Sequence, residues 1–185
     1  MQILITNTKG GCGKSTLTAC LAEVLDADII DHDPQGTITI NAQMTGRLQP
    51  LKPENISKKI TIHDTPPYNT TTLNSLIKEV DIVIIPTKLM YADLLALATL
   101  VEKLEKFKAE NKAFVVFNEV RHHNKKLNNE VRDLYNREYP NLKFLTTEIP
   151  NWIGFSRVLA KPLGDRETNI IKSLYKELNT YKNHI

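Results

Sequence analysis

Residues 9–16 read Lys9-Gly10-Gly11-Cys12-Gly13-Lys14-Ser15-Thr16 and stand between an apolar run ending near Thr6 and a helical run from Leu17 to Leu25. Glycines without Cβ atoms let the backbone wrap closely around phosphates. The unpaired N–H groups that open the following helix point at the anion with the helix dipole behind them. In such a loop Lys14 would lie along the β and γ phosphates, and the Ser15 hydroxyl would complete a magnesium site. Gly10, Gly11, Cys12, Gly13 and Thr16 would shape the cradle. The strict spacing of these loops asks for glycine at position 8, where this chain has Thr8. Two further apolar runs end in acids, Asp31-His32-Asp33-Pro34-Gln35-Gly36 and His63-Asp64-Thr65-Pro66-Pro67. Ligands bind at strand C-termini in open α/β sheets, so these acids are candidates for work on the same ligand.

The KGGxGK[ST] form, with Lys9 ahead of the glycines, resembles the deviant Walker A group of the ParA/MinD family of ATPases. The DxDPQG string resembles the Walker A′ segment of ParA proteins, and Ile60 to Pro67 resembles the family's Walker B segment with its DTPP continuation. The resemblance implies ATP and Mg2+ as cofactors and a catalytic set of Lys9, Lys14 and Asp33. Lys9 would cross a dimer interface to the partner's nucleotide, and Asp33 would orient or activate the attacking water, with Asp31 in the same network. Asp64 would hold magnesium through water, beside Ser15, since that ion takes only one or two protein oxygens. Phe117-Asn118-Glu119-Val120-Arg121 and Glu148-Ile149-Pro150-Asn151 are similar to segments that border the adenine in relatives. Asn118 is therefore the candidate base contact and Pro150 a lining residue. The match is specific over residues 1–67 and looser beyond.

Within the family the chain looks like the small plasmid-type ParA proteins. That implies a DNA-segregation ATPase in the cytoplasm at the nucleoid. ATP would drive homodimerisation and nonspecific binding to duplex DNA, and a centromere-binding, ParB-like partner would stimulate hydrolysis. A MinD-like membrane-associated positioning ATPase and a metabolic ATP-dependent ligase of the same fold are the alternatives. Two departures bear on the choice: no helix-turn-helix extension precedes the loop, and the last helix lacks the basic, apolar tail of MinD proteins. The Asp26-Ala27-Asp28 connection is also shorter than the family's, which has a glycine turn.

Positioning these residues takes an alternation of short apolar runs with segments of helical period, the order expected for a parallel sheet covered on both faces. Strands are predicted over 3–6, 27–31, 60–64, 81–86, 113–118 and 142–146, with helices over 14–25, 70–80, 91–108, 125–138 and 166–181. In the last helix Ile170, Ile171, Leu174, Tyr175 and Leu178 share one face as core packing. Residues 46–59 predict a loop with a short helix. The expected architecture is α/β: a mostly parallel twisted sheet with helices on both faces, in one P-loop domain over 1–185.

Composition supports a folded chain: of 185 residues 41% are hydrophobic and 24% charged, which excludes collagen-like and disordered classes. Cys12 and Cys20 form no CxxC pair and read as small packing residues. His32 and His63 read as strand residues facing away from the chemistry. No run reaches the roughly 20 apolar residues of a membrane span, and the N-terminal Met1-Gln2-Ile3-Leu4-Ile5 has no basic segment ahead of its apolar run, so neither secretion nor membrane spanning is expected. Residues 1–100 hold 8 Lys/Arg against 10 Asp/Glu and residues 101–185 hold 16 against 11. That C-terminal excess makes Arg121, Lys125, Lys126, Arg157 and Lys161 candidate phosphate contacts on DNA, the last two spaced as one helical turn over 155–161.

Overall fold

The computed structural model describes residues 1–68, 70–121 and 125–182 and, of Lys125 and Lys182, the backbone. Six parallel strands run in the order β2-β3-β1-β4-β5-β6: β1 (Gln2–Ile5), β2 (Asp28–Asp31), β3 (Thr61–Asp64), β4 (Ile82–Thr87), β5 (Ala113–Phe117) and β6 (Lys143–Phe144). The helices are α1 (Lys14–Leu25), α2 (Thr37–Thr45), α3 (Thr71–Glu79), α4 (Tyr91–Phe107), α5 (Lys125–Glu138), α6 (Ile153–Ser156) and α7 (Asp165–Lys182). A strand buried on both faces needs no polar alternation, and β4, Ile-Val-Ile-Ile-Pro-Thr, is buried along its whole length. Pro86 is tolerated inside it because β1 pairs only with Ile82, Val83 and Ile84, so the missing N–H falls beyond that ladder.

Alternate strand residues feed two cores. Ile3, Ile5, Ile29, Ile62 and Ile84 meet Leu17 and Leu21 of α1 and Ile171, Leu174 and Leu178 of α7. Leu4, Val83, Ile85 and Val115 meet Leu73 of α3, Leu97 of α4 and Val131 of α5. Ile171, Leu174 and Leu178 of the last helix's apolar stripe are thus core packing, with Ile170 partly buried against them.

Several elements differ in detail from the sequence-based expectation. The short Asp26-Ala27-Asp28 connection works without glycine because Asp26 itself takes the left-handed helix-ending conformation, φ 48°, with its N–H on Ala22 O, a position the short acidic side chain tolerates better than most. Helix α2 stands where the sequence carries no helical signal, since Thr-Ile-Thr-Ile disfavours helix. It forms between Gly36 and Gly46 because Ile38 and Ala42, one turn apart, are both buried. Residues 46–59 contain a single 3₁₀ turn, Pro53–Asn55. The last strand is only two residues long.

Thr146 and Thr147, just past β6, are tied to α7 by Glu177. Its Oε1 accepts from Thr146 N and Oγ1 at 2.6 and 2.9 Å, and its Oε2 from Thr147 N at 2.9 Å. Burial opposes ionisation, yet the hydrogen bonds from both threonines outweigh it and hold the carboxyl below the usual glutamate range. A depressed carboxyl contributes its full stability above the unfolded-state value and loses it as pH falls through the lower folded-state value. Glu177→Ala is expected to lower unfolding stability by about 1–3 kcal/mol at neutral pH. Denaturant melts of both chains should converge below the ordinary glutamate range.

Candidate nucleotide site

The chain leaves β1 toward β2 through α1, and β3 crosses over β1 to reach β4, so connections part at the C-terminal end of β1 and open a crevice there. Strand register sets Ile5, Asp64 and Asp31 side by side at that end. Thr65 Oγ1 donates to Ile5 O at 3.0 Å and fixes the start of the DTPP turn beneath the glycine loop.

The loop from Asn7 to Gly13 is pinned at both ends. Asn7 Nδ2 donates to Pro86 O and its Oδ1 accepts from Lys9 N, at 2.9 and 3.0 Å. Thr8, where the strict motif has glycine, donates its hydroxyl to Ala96 O of α4 at 2.8 Å. At the far end Asn118 Nδ2 donates to Cys12 O at 2.8 Å. Gly13, φ 89°, caps α1, and a Cβ there would stand 2.1 Å from Asn118 Nδ2. Only glycine fits both that conformation and that approach.

Inside the loop Lys14 is almost wholly buried, and its Nζ donates to Lys9 O at 3.0 Å. Cys12, with no exposure, lies beside it, and burial pushes its thiol up despite the nearby Lys14 charge. Both cysteines are free, buried packing residues. Asp64 is fully buried. It accepts from Ser15 Oγ at 2.7 Å and Thr18 Oγ1 at 3.1 Å. Burial raises its pKa to about 7, the Asp31 charge adds to that, and the two hydroxyls and Lys14 pull the other way. A carboxylate and a hydroxyl this close, in an oxygen-only donor set, fit the family's Mg2+. Ser15 and Asp64 would hold the ion, which supplies charge neutralisation on phosphate oxygens. Thr18 is a second hydroxyl on this carboxylate that sequence reasoning missed, although it follows Ser15 by one short step on α1.

Asp31 organises the adjoining turn. Its Oδ1 accepts from Asp33 N at 3.1 Å, and its Oδ2 from Thr39 N and Oγ1 at 3.2 and 2.8 Å. Asp33 is half-buried and accepts from Gln35 N at 2.9 Å. His32 and His63 face each other at 2.9 Å, and His63 Nε2 meets Gln2 Oε1 at 2.6 Å. Burial, with the His32 charge as a lesser cause, lowers His63 to about 4. Burial likewise lowers His32, with the Asp31 charge opposing it, and His63 lies on the sheet face opposite its neighbour Ile62.

Lys9 does not enter its own loop. Its Nζ lies 2.9 Å from Oδ2 of Asp93, in the first turn of α4, with the lysine side chain 35% exposed and the aspartate 1%. Neither Asp93 oxygen accepts a hydrogen bond of good geometry among the described residues, so this ion contact is what neutralises the buried carboxylate. The sequence analysis does not single out Asp93; its place in the first turn of α4 is the one local signal it carries.

Beside Gly13 and Thr16 a cavity of about 200 Å3 reaches Asn118 and Pro150, so both candidate base residues line one space that opens from the loop. Arg121, Lys126, Arg157 and Lys161 are exposed, and the Lys125 side chain lies outside the described residues. Residues 155–161 are not one helix, since α6 ends at Ser156, but Lys161 N donates to Arg157 O at 2.9 Å and closes the single turn expected between them.

A parallel sheet with a glycine loop between β1 and α1 and acids at the ends of β2 and β3 defines a P-loop nucleotide-binding protein of the deviant Walker A type. The chain belongs to the CobQ/CobB/MinD/ParA nucleotide binding domain family, whose model matches residues 3–162. No curated protein matches it. Among solved structures it is similar to a Borrelia burgdorferi B31 protein described as a plasmid partition protein and bound to AMPPNP, at 17% identity over 97% of both chains with a TM-score of 0.71. It is also similar to a variant of Cyanothece McdA in complex with ATP, at 15% identity over 98% of this chain and 95% of that one, TM-score 0.72. A third likeness is pNOB8 ParA bound to nonspecific DNA, at 15% identity over 97% and 98%, TM-score 0.66. At these identities the likeness is one of fold. Among the described residues no helix is long and apolar enough to cross a membrane.

Proposed function

We propose that this chain is a ParA-like ATPase of DNA segregation, in which Mg-ATP assembles two copies and the dimer binds duplex DNA without sequence preference. The observation that carries the reading is the division of labour between two lysines of one loop. Lys14 is buried within the loop with its ammonium on Lys9 O, while the Lys9 side chain is one third exposed and paired with Asp93 of α4. A cation in that place suits the nucleotide of a second copy. Asp33, set at the mouth by Asp31, is the group to orient the attacking water, and phosphoryl transfer asks little of a protein beyond such positioning and charge neutralisation. Relatives of this fold solved with AMPPNP, with ATP and with nonspecific DNA support the nucleotide and the polymer. A centromere-binding partner would stimulate turnover.

Sedimentation with a non-hydrolysable ATP analogue, and with Asp33→Ala as an ATP-holding trap, tests assembly. A chain that remains monomeric in both would overturn the reading.

DNA affinity should follow assembly. A monomer offering Arg121, Lys126, Arg157 and Lys161 neutralises few phosphates, whereas a dimer doubles the number and steepens the dependence on salt. Random duplex DNA is therefore expected to bind at least about tenfold tighter with the ATP analogue than with ADP near physiological salt. Arg157→Ala with Lys161→Ala should weaken binding and flatten the slope of log affinity against log salt by about 2–4 for a dimer. Equal affinity in both nucleotide states would remove DNA as the ligand of the dimer. Nucleotide-dependent binding to anionic liposomes, or product formation from an organic substrate, would instead favour the positioning or the metabolic reading.

A further inference from the structure

Helix α4 opens without the two devices that commonly fix a helix start, a side-chain cap and an apolar first turn. Its capping residue Met90 makes no side-chain cap bond, and from Tyr91 to Ala96 the one buried side chain is an acid, Asp93. The first buried apolar residue is Leu97, with Leu94 only partly buried against the core. Met90, Tyr91 and Leu95 are exposed. Core packing thus gives little hold on this first turn, although it carries the carboxylate that pairs with Lys9.

What grips the turn is a set of hydroxyls on backbone carbonyls. Tyr135 Oη of α5 shares its proton between Lys88 O and Met90 O, each at 3.2 Å. One helical turn on, Tyr139 Oη donates to Leu94 O at 2.9 Å. From the loop side Thr8 holds Ala96 O. The carbonyls of Lys88, Met90 and Leu94 bracket Asp93, and Met90 O also accepts from Asp93 N at 3.0 Å. The Tyr135 ring is itself fixed: it has no exposure and meets Phe117 of β5 edge-on at 5.6 Å and Phe144 of β6 at 6.2 Å. Burial, with the Asp93 charge as a lesser cause, pushes its phenol up, so it stays a donor.

We propose that Tyr135 and Tyr139 are positioning residues: by clamping the first turn of α4 they hold Asp93 on Lys9, and so set how readily Lys9 is released to a second copy. The release to a second copy rests on the function proposed above, whereas the hold on Lys9 is a property of the single chain. Losing a phenol hydroxyl leaves the ring and its packing in place but frees the carbonyl it gripped. The first turn of α4 can then shift toward water, where the Asp93 charge is solvated and its pairing with Lys9 weakens.

Tyr135→Phe, Tyr139→Phe and the two together, each made in the parent chain and in Asp93→Asn, test the clamp. Without nucleotide, the rate at which a water-soluble active ester acylates Lys9, read by mass spectrometry, reports the pairing. Lys58, paired with Asp26 at 2.6 Å near the start of β2, is the internal standard. Two hydroxyl bonds of ordinary strength correspond to roughly 5- to 150-fold on an equilibrium, of which part reaches Lys9. Removing both hydroxyls should therefore raise Lys9 acylation about threefold or more relative to Lys58. In Asp93→Asn the rate should start high and not respond to their loss. An equal rise in both backgrounds, the mark of a general loosening, would overturn the proposal, as would a rate that the two changes leave unaltered. In an ATP analogue the same pair of changes should lower the protein concentration needed for the dimer by about threefold or more, again only while Asp93 is present. A Lys9 response without a shift in the dimer would overturn the link to assembly. A parent chain that stays monomeric would overturn the proposed function, and acylation still decides the clamp.

Discussion

A Lys14→Ala chain is expected to lose ATP affinity by about 100-fold or more, and turnover with it, while keeping its fold. Two effects of the substitution have to be compared. In the folded protein the Lys14 ammonium is buried and donates to Lys9 O. Losing one such bond lowers stability by about 1 kcal/mol, and removing a cation from a dry loop offsets part of that. In the complex the same ammonium would face β and γ phosphates, where each charge-assisted contact is worth about 1.5–3 kcal/mol. Binding therefore falls by several times more than stability. Calorimetry with ATP, beside a thermal melt of the same variant, separates the two. A variant that melts early and binds ATP normally would invert the assignment and remove Lys14 from the phosphate site.

What the sequence made legible was local. The glycine loop, the acids at the ends of β2 and β3 and helix α1 each lie within a few residues of their signals, and the α/β order follows from alternating apolar runs. The register that sets Asp31 beside Asp64 is a consequence of parallel pairing. What stayed hidden depended on residues far apart or on burial. Asp93 meets Lys9 only because α4 follows β4, the neighbour of β1. Helix α2 is a case where tertiary burial of Ile38 and Ala42 overrides a β-branched sequence. The chain end of β6 shows the reverse: Leu142 to Thr146 reads as a strand, and Leu145 N still donates to Val115 O of β5, yet from Thr146 the backbone N–H groups are taken by Glu177.

The pairing of Lys9 with Asp93 sets the second large expectation, that the aspartate opposes dimerisation. Lys9 can reach the nucleotide of a second copy only by leaving a carboxylate that is 1% exposed and otherwise accepts no hydrogen bond of good geometry among the described residues. Stripping a buried charge of its partner costs several kcal/mol in the limit of full burial, and less here because the lysine is one third in water. About 1–3 kcal/mol is a reasonable scale, which is roughly a 5- to 150-fold penalty on assembly. Asp93→Asn removes the charge and keeps the shape, so it should lower the protein concentration needed for the dimer in an ATP analogue by about tenfold or more. Lys9→Ala should abolish the nucleotide-dependent dimer and also destabilise the monomer, since Asp93 is then buried without a cation. Combining the two changes distinguishes these roles. The double variant should regain the stability lost in Lys9→Ala, read by denaturant melts, yet stay monomeric in sedimentation, because the crossing cation is still missing. A double variant that dimerises like the parent would show that Lys9 serves only to neutralise Asp93. The reading of Lys9 as a group that acts on a second copy would then be wrong.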